Sequence, residues 1–391
     1  MAVKQLRTAL VAVLAAGALA LAGCSSTPAP APTDDTAGGY DPTTATSTPA
    51  DDMEALVAAA QAEGALTLYT DGTLATQQAW AAEFTAKYGI QVSIVRDSGG
   101  PLYQKFAQEE AAGQGQADIF GNIDALSLDD AIDNGWLTEY TPEGGPAFPA
   151  DRSRAGYYYP YLMGSSHSVI YNTNNVTPEE LAEVQENPLK ALADPKFKGR
   201  IGLCPPQLAM LAAAFWYQYT DGDGASDVGW EGLADIAANV AIITDTATLT
   251  QNVIQGEVDF AFPVADSLVG NALKADPNTP IAFVYPSPTV GTQFGMGVVT
   301  DSPHPAAARL FAEWASSLEG SDGLAELSGN LNLREGGVDG RAYSELDWFT
   351  PVDLDTVVNS AVYTQDEAFR DAAGPDGDFL GHWSQVFGYA G

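Results

Sequence analysis

Residues 65–88 read ALTLYTDGTLATQQAWAAEFTAKY and contain the first strand, loop and helix, which decide the fold. The compact apolar run at residues 65–69 predicts a strand, and residues 70–73 predict a turn. Residues 74–88 place large aromatic side chains among alanines, and Gly89 follows at the position of a helix C-cap. This order predicts one strand–loop–helix unit.

The same unit follows twice more along the chain. Further strands are predicted at residues 90–95 and 117–120, and each is followed by a loop and a helix. Strands that alternate with helices form a parallel sheet with right-handed crossovers. The sequence therefore predicts an α/β fold, in which ligands collect outside the carboxyl ends of the strands.

Polar residues in these loops and in later segments are the candidate ligand-binding side chains. The later segments include strands predicted at residues 168–173, 281–285 and 295–300 and a helix at residues 305–317. The candidates are Thr70, Asp71, Asp97, Ser98, Gly99, Asn122, Asp124, Tyr159, Ser165, Asp266 and Thr292.

The N-terminal segment has the layout of a secretory signal. Lys4 and Arg7 precede an apolar run at residues 9–22, which is shorter than the about 20 residues that a membrane-spanning helix needs. Its end, Leu21-Ala22-Gly23-Cys24, resembles a bacterial lipobox, in which the cysteine is lipidated and becomes the first residue of the mature chain. We therefore expect a signal peptide at residues 1–23 and lipidation of Cys24.

Residues 24–51 are predicted to be a disordered tether, because they are rich in Ser, Thr, Pro and Ala and hold one large side chain, Tyr40. The body that follows is long enough for one large domain or two ordinary ones. The whole chain has 16 Lys and Arg against 51 Asp and Glu, a formal net charge of -35. This charge argues against nucleic acid as a partner. With Cys24 lipidated, Cys204 has no cysteine to pair with, and its apolar surroundings indicate a buried structural residue.

Beyond these units, the order of motifs resembles extracellular solute-binding proteins of ATP-binding-cassette importers, with the two-lobed periplasmic-binding-protein type II fold. The match extends over about residues 52–333. Four segments carry it: Leu66-Thr67-Leu68-Tyr69 with Tyr88-Gly89-Ile90; Ala117-Asp118-Ile119-Phe120 with Asn134-Gly135-Trp136-Leu137; Val169-Ile170-Tyr171-Asn172-Thr173 with residues 192–203; and Gly256-Glu257-Val258-Asp259 with His304-Pro305 and Ser317-Leu318-Glu319-Gly320.

The resemblance implies an architecture and a set of partners. Lobe 1 is expected at residues 52–160 plus 290–325, and lobe 2 at residues 161–289 plus 326–391. Strands near residues 159–164 and 283–289 would cross between the lobes and act as the hinge. The implied partners are a permease and its ATPase, and the implied location is the outer face of the cell membrane. We expect a monomer without a cofactor.

The nearest branch is similar to ferric-iron and related small-solute binders. Ferric binders hold the metal with an adjacent tyrosine pair after the Gly-Glu-Val segment, often with a His from the first loop and a Glu after the third strand. Here residues 262–267 read FPVADS, residues 70–73 contain no His, and Asn122 stands about where the Glu would be. Because Fe(III) prefers anionic oxygen ligands, these departures argue against iron and predict no metal site.

Two kinds of cargo remain open. Asp71, Asp97, Asp124 and Asp266 beside aromatic rings would suit an organic cation, although Asp in such loops is often a helix N-cap. Ser98-Gly99-Gly100 at a helix start, with Thr70, Ser165 and Thr292, would instead suit phosphate, sulfate or carboxylate. We favour the cation. The tyrosines at residues 157–161 are expected to pack the hinge and line the cleft, with a phenolate site as the alternative.

An enzyme is the less favoured class of function. The run Gly164-Ser165-Ser166-His167-Ser168 lacks the Gly-x-Ser-x-Gly arrangement of a nucleophile elbow. Neighbouring residues on a strand also point to opposite faces, which separates Ser166 from His167. The sequence contains no His-Glu-x-x-His and no Walker phosphate loop. A ligand-sensing lipoprotein with the same fold stays a third possibility.

Overall fold

A computed structural model describes residues 52–208, 210–221, 228–351, 354–359, 367–374 and 377–390. The predicted signal peptide, Cys24 and the tether lie outside these described residues. The strands are β1 (Ala65–Thr70), β2 (Gln91–Arg96), β3 (Ile119–Asn122), β4 (Tyr158–Asn172), β5 (Ile201–Leu203), β6 (Val240–Ile243), β7 (Phe260–Ala265), β8 (Ile281–Val284), β9 (Thr289–Val298), β10 (Leu331–Asn332) and β11 (Val357–Asn359). The helices are α1 (Met53–Glu63), α2 (Leu74–Tyr88), α3 (Gly99–Ala111), α4 (Ala125–Asp133), α5 (Pro178–Glu186), α6 (Pro188–Leu192), α7 (Met210–Thr220), α8 (Gly229–Ala237), α9 (Thr246–Gln255), α10 (Asp266–Ala275), α11 (Pro305–Ser316), α12 (Leu318–Ser328), α13 (Glu367–Ala373) and α14 (Phe379–Phe387).

Local sequence sets several of these boundaries. Asp52 caps α1 because its side chain accepts a hydrogen bond from the amide of Ala55 at 2.9 Å. Gly64 ends the same helix with φ of 70°, a left-handed conformation that glycine adopts without steric penalty. Thr177 and Glu180 form a reciprocal capping box at the start of α5. The predicted helices at residues 53–63 and 74–88 are confirmed.

Lobe 1 is built on the sheet β2-β1-β3-β9-β4. β1 pairs in parallel with both β2 and β3, as the three strand–loop–helix units predict, whereas β9 runs antiparallel to β3. One face of the sheet is covered by α1, α2, α11 and α12, where Trp80, Phe84, Phe311 and Trp314 pack with ring centroids 5.0–5.7 Å apart. The other face packs against α3 and α4.

Lobe 2 is built on β8, β4, β7, β5 and β6 and has its own core. β5 is parallel to β6 and β7, and β7 is antiparallel to β4. The aromatic centre of this core is Trp216, which is fully buried and packs against Phe262 and Trp383 with centroids 5.6 and 5.4 Å apart. Cys204 is buried in lobe 2 with a free thiol, as predicted, and burial raises its pKa to about 12.

Strand β4 belongs to both lobes. Its residues from Tyr158 to Ser166 pair with β9, and its residues from His167 to Asn172 pair with β7 and β8. The register shifts between Met163 and Ser166, so the strand passes from one lobe to the other at Gly164 and Ser165. The residue pattern alone predicts a strand at residues 168–173, whereas the crossing strand near residues 159–164 is expected only from the family resemblance, because the tyrosine-rich first half lacks the β-branched pattern of a strand. Both segments overlap with the single strand β4.

The tyrosine run lies in the core of lobe 1 and not in the cleft. Tyr159 and Tyr161 are buried beside Phe148, with ring centroids 5.9 and 5.0 Å from it. Tyr158 is buried against the α3–α4 side of the sheet. The expectation that this run lines the cleft is therefore corrected, because alternating residues of β4 face the two packed sides of the lobe 1 sheet.

The chain connects the lobes a third time near its C-terminal end. The predicted boundary at residue 325 falls inside α12, whose Leu324 and Ala325 lie in the lobe 1 core. Strand β10 then pairs with the lobe 1 part of β4. The chain reaches lobe 2 only after Gly340, where Tyr343 joins the lobe 2 core. The predicted boundary at residue 161 likewise falls inside β4.

Replacing Trp216 by alanine is expected to reduce the free energy of unfolding by about 3–5 kcal/mol, because it leaves a cavity in the lobe 2 core. Leu208→Ala is the control, since that side chain is 52% exposed and its loss should change stability by about 0.5 kcal/mol or less. Urea unfolding followed by circular dichroism measures both values. Equal losses in the two variants would contradict this account of the core.

Candidate functional site

The loops after β1, β2 and β3 meet at one edge of lobe 1. The carboxylate of Asp71 accepts a hydrogen bond from the amide of Ile123 at 3.0 Å. The side-chain amide of Asn122 donates to the carbonyl of Gly99 at 3.1 Å. A Cβ on Gly99 would lie 3.0 Å from Asn122 Oδ1 and 3.2 Å from Asp71 Oδ2, so glycine allows this close approach. The structure therefore brings Asp71, Gly99 and Asn122 together.

Asp71 is the least satisfied member of this group. Its Oδ1 is buried and has no hydrogen-bond partner among the described residues. Burial raises the pKa of this carboxyl to about 6, against the lowering effects of the Ile123 amide and of Arg96. The guanidinium of Arg96 reaches the backbone carbonyls of Asp71 and Gly72 at 3.4 and 3.3 Å. A bound hydrogen-bond donor would satisfy the free oxygen.

The other candidates in these loops have local structural partners. Thr70 is buried, and its hydroxyl accepts from the amide of Gly72 at 3.1 Å. Asp124 is the N-cap of α4 and accepts from Leu126 and Ser127, which is the capping role that was the alternative for these aspartates. Asp97 accepts from the amide of Ser98 at 2.7 Å, and both side chains are exposed.

Lobe 2 contributes the start of α10 and the adjoining part of β4. The hydroxyl of Ser165 lies 2.6 Å from that of Ser267. Asp266 is only 3% exposed, and both of its oxygens have protein donors, the amide of Ser166 at 3.1 Å and the hydroxyl of Tyr285 at 2.5 Å. Burial raises the pKa of the Asp266 carboxyl. Asp266 is thus engaged within the protein, whereas the neighbouring serine hydroxyls are half-buried at the surface of the lobe.

The strand registers make the loop residues of lobe 1 and the start of α10 in lobe 2 face each other. β3 runs antiparallel to β9 and ends with Asn122 opposite Gly295. β7 runs antiparallel to β4 and ends with Ala265 opposite His167. Because β4 and β9 pass between the lobes in opposite directions, the carboxyl ends of β3 and β7 point at one another. On β9, Gly291 and Gly295 mark these two ends, about 13 Å apart for four residues of strand.

The floor between the two groups contains Thr292 and Ser165. The hydroxyl of Thr292 donates to the carbonyl of Ser165 at 3.5 Å, and a Cβ on Gly164 would lie 2.4 Å from that hydroxyl. Tyr159 is not part of this arrangement, because it is buried in lobe 1 and its hydroxyl accepts from the amide of Gly156 at 3.2 Å.

Two residues at the candidate site were not predicted from the sequence. Gln77 is 2% exposed on the first turns of α2, and its Oε1 has no partner among the described residues. Its amide lies beside Gly72, in the same loop as Asp71. Ser267 follows Asp266 directly, so the Asp-Ser pair at the start of a helix was the available signal for it. Gln77 gave no signal, because a glutamine on a predicted helix is ordinarily solvated.

The described residues contain no group of three or more His, Cys, Asp or Glu side chains placed to hold a metal ion. Asn122 cannot be exchanged for a carboxylate without losing its hydrogen bond to Gly99, since only the amide donates. Across the described ranges, no helix is both long enough and apolar enough to cross a membrane.

Two lobes with strand ends that face each other across a shared hinge define a solute-binding protein. The family model for bacterial extracellular solute-binding proteins matches residues 68–321, well over half of the chain, and the protein belongs to this family. A Salmonella typhimurium protein provisionally named as 2-aminoethylphosphonate-binding and periplasmic is 24% identical, over 70% of this chain and 80% of its own. The major ferric iron-binding protein of Neisseria meningitidis is 25% identical, over 71% of this chain and 84% of its own.

Solved structures support the same fold. The Trichodesmium protein in complex with iron and citrate superposes with a TM-score of 0.63 at 22% identity, covering 83% of this chain and 99% of its own. Iron-bound HitA from Pseudomonas aeruginosa gives a TM-score of 0.56 at 22% identity, covering 83% of this chain and 97% of its own. The chain is a substrate-binding protein of the importer type and not an enzyme. Such proteins carry a small solute and work with a permease.

Replacing Asp71 by asparagine should stabilise the protein more at pH 7.5 than at pH 3.5. Its pKa rises from 3.8 to about 6 on folding, so the wild type loses stability as the pH rises from about 4 to about 6. Asparagine has no such loss, and the difference between the two pH values should be about 3 kcal/mol in urea unfolding. Asp133→Asn is the matched control, because it makes the same chemical change at a carboxylate that is 74% exposed. A pH-independent effect of Asp71→Asn would contradict the burial of this charge.

Proposed function

We propose that this protein captures a small organic solute that carries an ammonium group and delivers it to the permease of an ATP-binding-cassette importer. One observation carries this proposal: the buried Oδ1 of Asp71 has no partner among the described residues, at the strand ends where the lobes face each other. A buried acceptor without a donor is unfavourable by about 1–3 kcal/mol. A bound ammonium would relieve this once the loop moves to expose the oxygen, which is shielded from solvent in this conformation. The lobes would close over the solute by bending at the hinge.

The second free acceptor supports the same chemistry. Gln77 lies on α2 with its side-chain amide nitrogen beside Gly72, next to Asp71 in the chain, and its Oε1 has no partner among the described residues. A donor-rich solute would therefore have a second acceptor to satisfy in this region. An ammonium group has three donors and no acceptor, which fits acceptors better than it fits the amides of a helix start. The overall charge of -35 adds a long-range field that attracts cations.

An aminophosphonate is a specific form of this proposal. The name of the Salmonella relatives describes a solute with an amino group at one end and a phosphonate at the other. The first turn of α3 lies beside Asp71, and the hydroxyls of Ser165 and Ser267 lie across the cleft. The amino end would meet Asp71, while backbone amides and hydroxyls are donors that suit a phosphonate.

Iron is the alternative cargo that the ferric relatives suggest. The positions after Gly256-Glu257-Val258 hold Phe262 and Val264, which are fully buried in the lobe 2 core and offer no oxygen ligand. Tyr285 lies near this point, but its hydroxyl donates to Asp266, and burial raises its pKa well above the usual range. A phenol that stays protonated is a weak ligand for Fe(III), so these contacts support an organic solute.

The anchor completes the proposed function. A lipid on Cys24, followed by the predicted tether, would hold a monomeric receptor at the outer face of the cell membrane, next to its permease and ATPase. The tether gives the body freedom to dock on its membrane partners. A ligand sensor with the same anchor is the alternative, and a permease and ATPase encoded beside this gene would favour transport.

The solute can be identified by thermal shift with the full-length protein. We expect putrescine or 2-aminoethylphosphonate to raise the melting temperature by several degrees at about 100 times Kd, because a ligand that binds only the folded state stabilises it. Asp71→Asn should abolish the shift, whereas Asp133→Asn should retain it. A shift with phosphate or sulfate alone would refute the cation proposal, and a shift with Fe(III) and a phenolate colour band would restore iron.

Replacing Cys24 by serine should release the protein from the membrane, because serine is not lipidated by the thioether chemistry of the lipobox. The measurement is the fraction of protein in membrane pellets after cell fractionation, which we expect to fall from most of the protein to a minor part. Cys204→Ser is the matched control and should leave the fraction unchanged. Membrane retention of Cys24→Ser would show that the anchor lies elsewhere.

A further inference from the structure

A chain of buried and half-buried polar groups joins the third connection between the lobes to the start of α10. Asp339 lies where the chain still belongs to lobe 1, since it forms a β-bridge with Leu331, and the amide of Gly340 donates to the carbonyl of Asn330. Arg341 lies where the chain enters lobe 2, packed against Phe349 with its guanidinium 4.9 Å from the ring centre. The ion pair of Asp339 and Arg341 therefore spans the passage from one lobe to the other.

The contacts continue from Arg341 into lobe 2. Its Nε and Nη2 donate to the two oxygens of Asp339 at 2.7 and 2.6 Å, and its Nη1 donates to the hydroxyl of Tyr285 at 3.5 Å. Tyr285 in turn donates to Asp266 at 2.5 Å. The other oxygen of Asp266 accepts from the amide of Ser166 on β4 at 3.1 Å. The chain thus reaches from Asp339 to the hinge strand.

Each of the three connections contributes a member. Ser166 belongs to β4, Tyr285 begins the segment that joins β8 to β9, and Arg341 belongs to the C-terminal connection. Arg341 and Asp266 are 6% and 3% exposed, so their charges are shielded from water and depend on each other and on their hydrogen bonds. A movement of one connection relative to another would therefore stretch a hydrogen bond of this chain.

We propose that Arg341 and Tyr285 are positioning residues that fix the angle between the lobes and hold the solute-facing end of α10 in place. Asp266 is the first residue of α10, and Ser267 next to it contacts Ser165 on the hinge strand. Neither Arg341 nor Tyr285 needs to touch the solute to act in this way. The proposal goes beyond the capture function and does not depend on which solute is bound.

These residues form a defined set of hydrogen bonds, which we call the clamp: Asp339, Arg341, Tyr285 and Asp266. The guanidinium binds Asp339 with two parallel hydrogen bonds, an orientation that lysine cannot reproduce with a single ammonium. Gly336, with φ of 76°, and Gly337 precede this clamp, after residues that bond to lobe 1 through Arg334 and Ser316. Loss of the paired hydrogen bonds of Arg341, or of the Tyr285 hydroxyl, should therefore allow a wider range of angles between the lobes while leaving both cores intact.

The test measures the distance between the lobes without any solute. The full chain with Cys24→Ser is labelled at Gln114→Cys in lobe 1 and Lys198→Cys in lobe 2, two exposed positions far from the cleft. Cys204 stays unlabelled because it is buried. Single-molecule energy transfer should show that Arg341→Lys and Tyr285→Phe each raise the population outside the wild-type distance about tenfold, the effect of one lost charge-assisted hydrogen bond.

The matched control is Arg309→Lys, a buried arginine that packs over the ring of Tyr140 within lobe 1. It should leave the distance distribution unchanged even if it lowers the melting temperature. The proposal is overturned if Tyr285→Phe and Arg341→Lys keep the wild-type distribution, or if Arg309→Lys alters it equally. Should Arg341→Lys unfold, Tyr285→Phe decides alone, because it removes one oxygen and keeps the ring in its packed position.

Discussion

The rest of the structure depends on β4 being shared by two sheets. Its first half pairs with β9 in lobe 1, and its second half pairs with β7 and β8 in lobe 2. This pairing fixes the positions of both cores, and the antiparallel neighbours of β4 and β9 make the strand ends of the two lobes face each other. The passage lies at Gly164 and Ser165, where the register shifts and the side chains are small. The cleft between the lobes therefore results from the pairing of β4 in both sheets.

The local elements of lobe 1 could be predicted because their patterns are complete in the sequence. The helix at residues 74–88 has its aromatic residues and its Gly89 cap, and the strands that follow are short apolar runs. The limits of the lobes could not be predicted in the same way. The sequence of α12 has a helical pattern, but that pattern does not indicate that the helix packs on α2. The pairing of β10 with β4 likewise joins residues that are far apart in the chain.

The candidate site was partly predictable for the same reason. Parallel strands place their following loops together, so Asp71, Gly99 and Asn122 were expected to meet, and they do. Tyr159 was predicted at the ligand site but is buried in lobe 1, because the type of a residue does not indicate which face of the sheet it occupies. Asp266 was expected to face the cleft, but Tyr285 and Ser166 satisfy its two oxygens. Those partners lie 19 and 100 positions away, beyond any local pattern.

The candidate solute-facing groups of the two lobes differ in how well they are satisfied, and the shared strand β4 also holds two buried atoms without a partner among the described residues, Ser166 Oγ and His167 Nδ1. In lobe 2, Ser165, Ser267 and Asp266 bond to one another or to neighbouring protein groups. In lobe 1, Asp71 and Gln77 each keep an acceptor without a partner among the described residues. Under the proposed function, the solute gains most of its free energy from lobe 1 and would bind there first, because those acceptors improve most on binding. Lobe 2 then contacts the solute only when the hinge bends. The angle between the lobes, which the clamp sets, therefore controls how much binding free energy the lobe 2 contacts contribute.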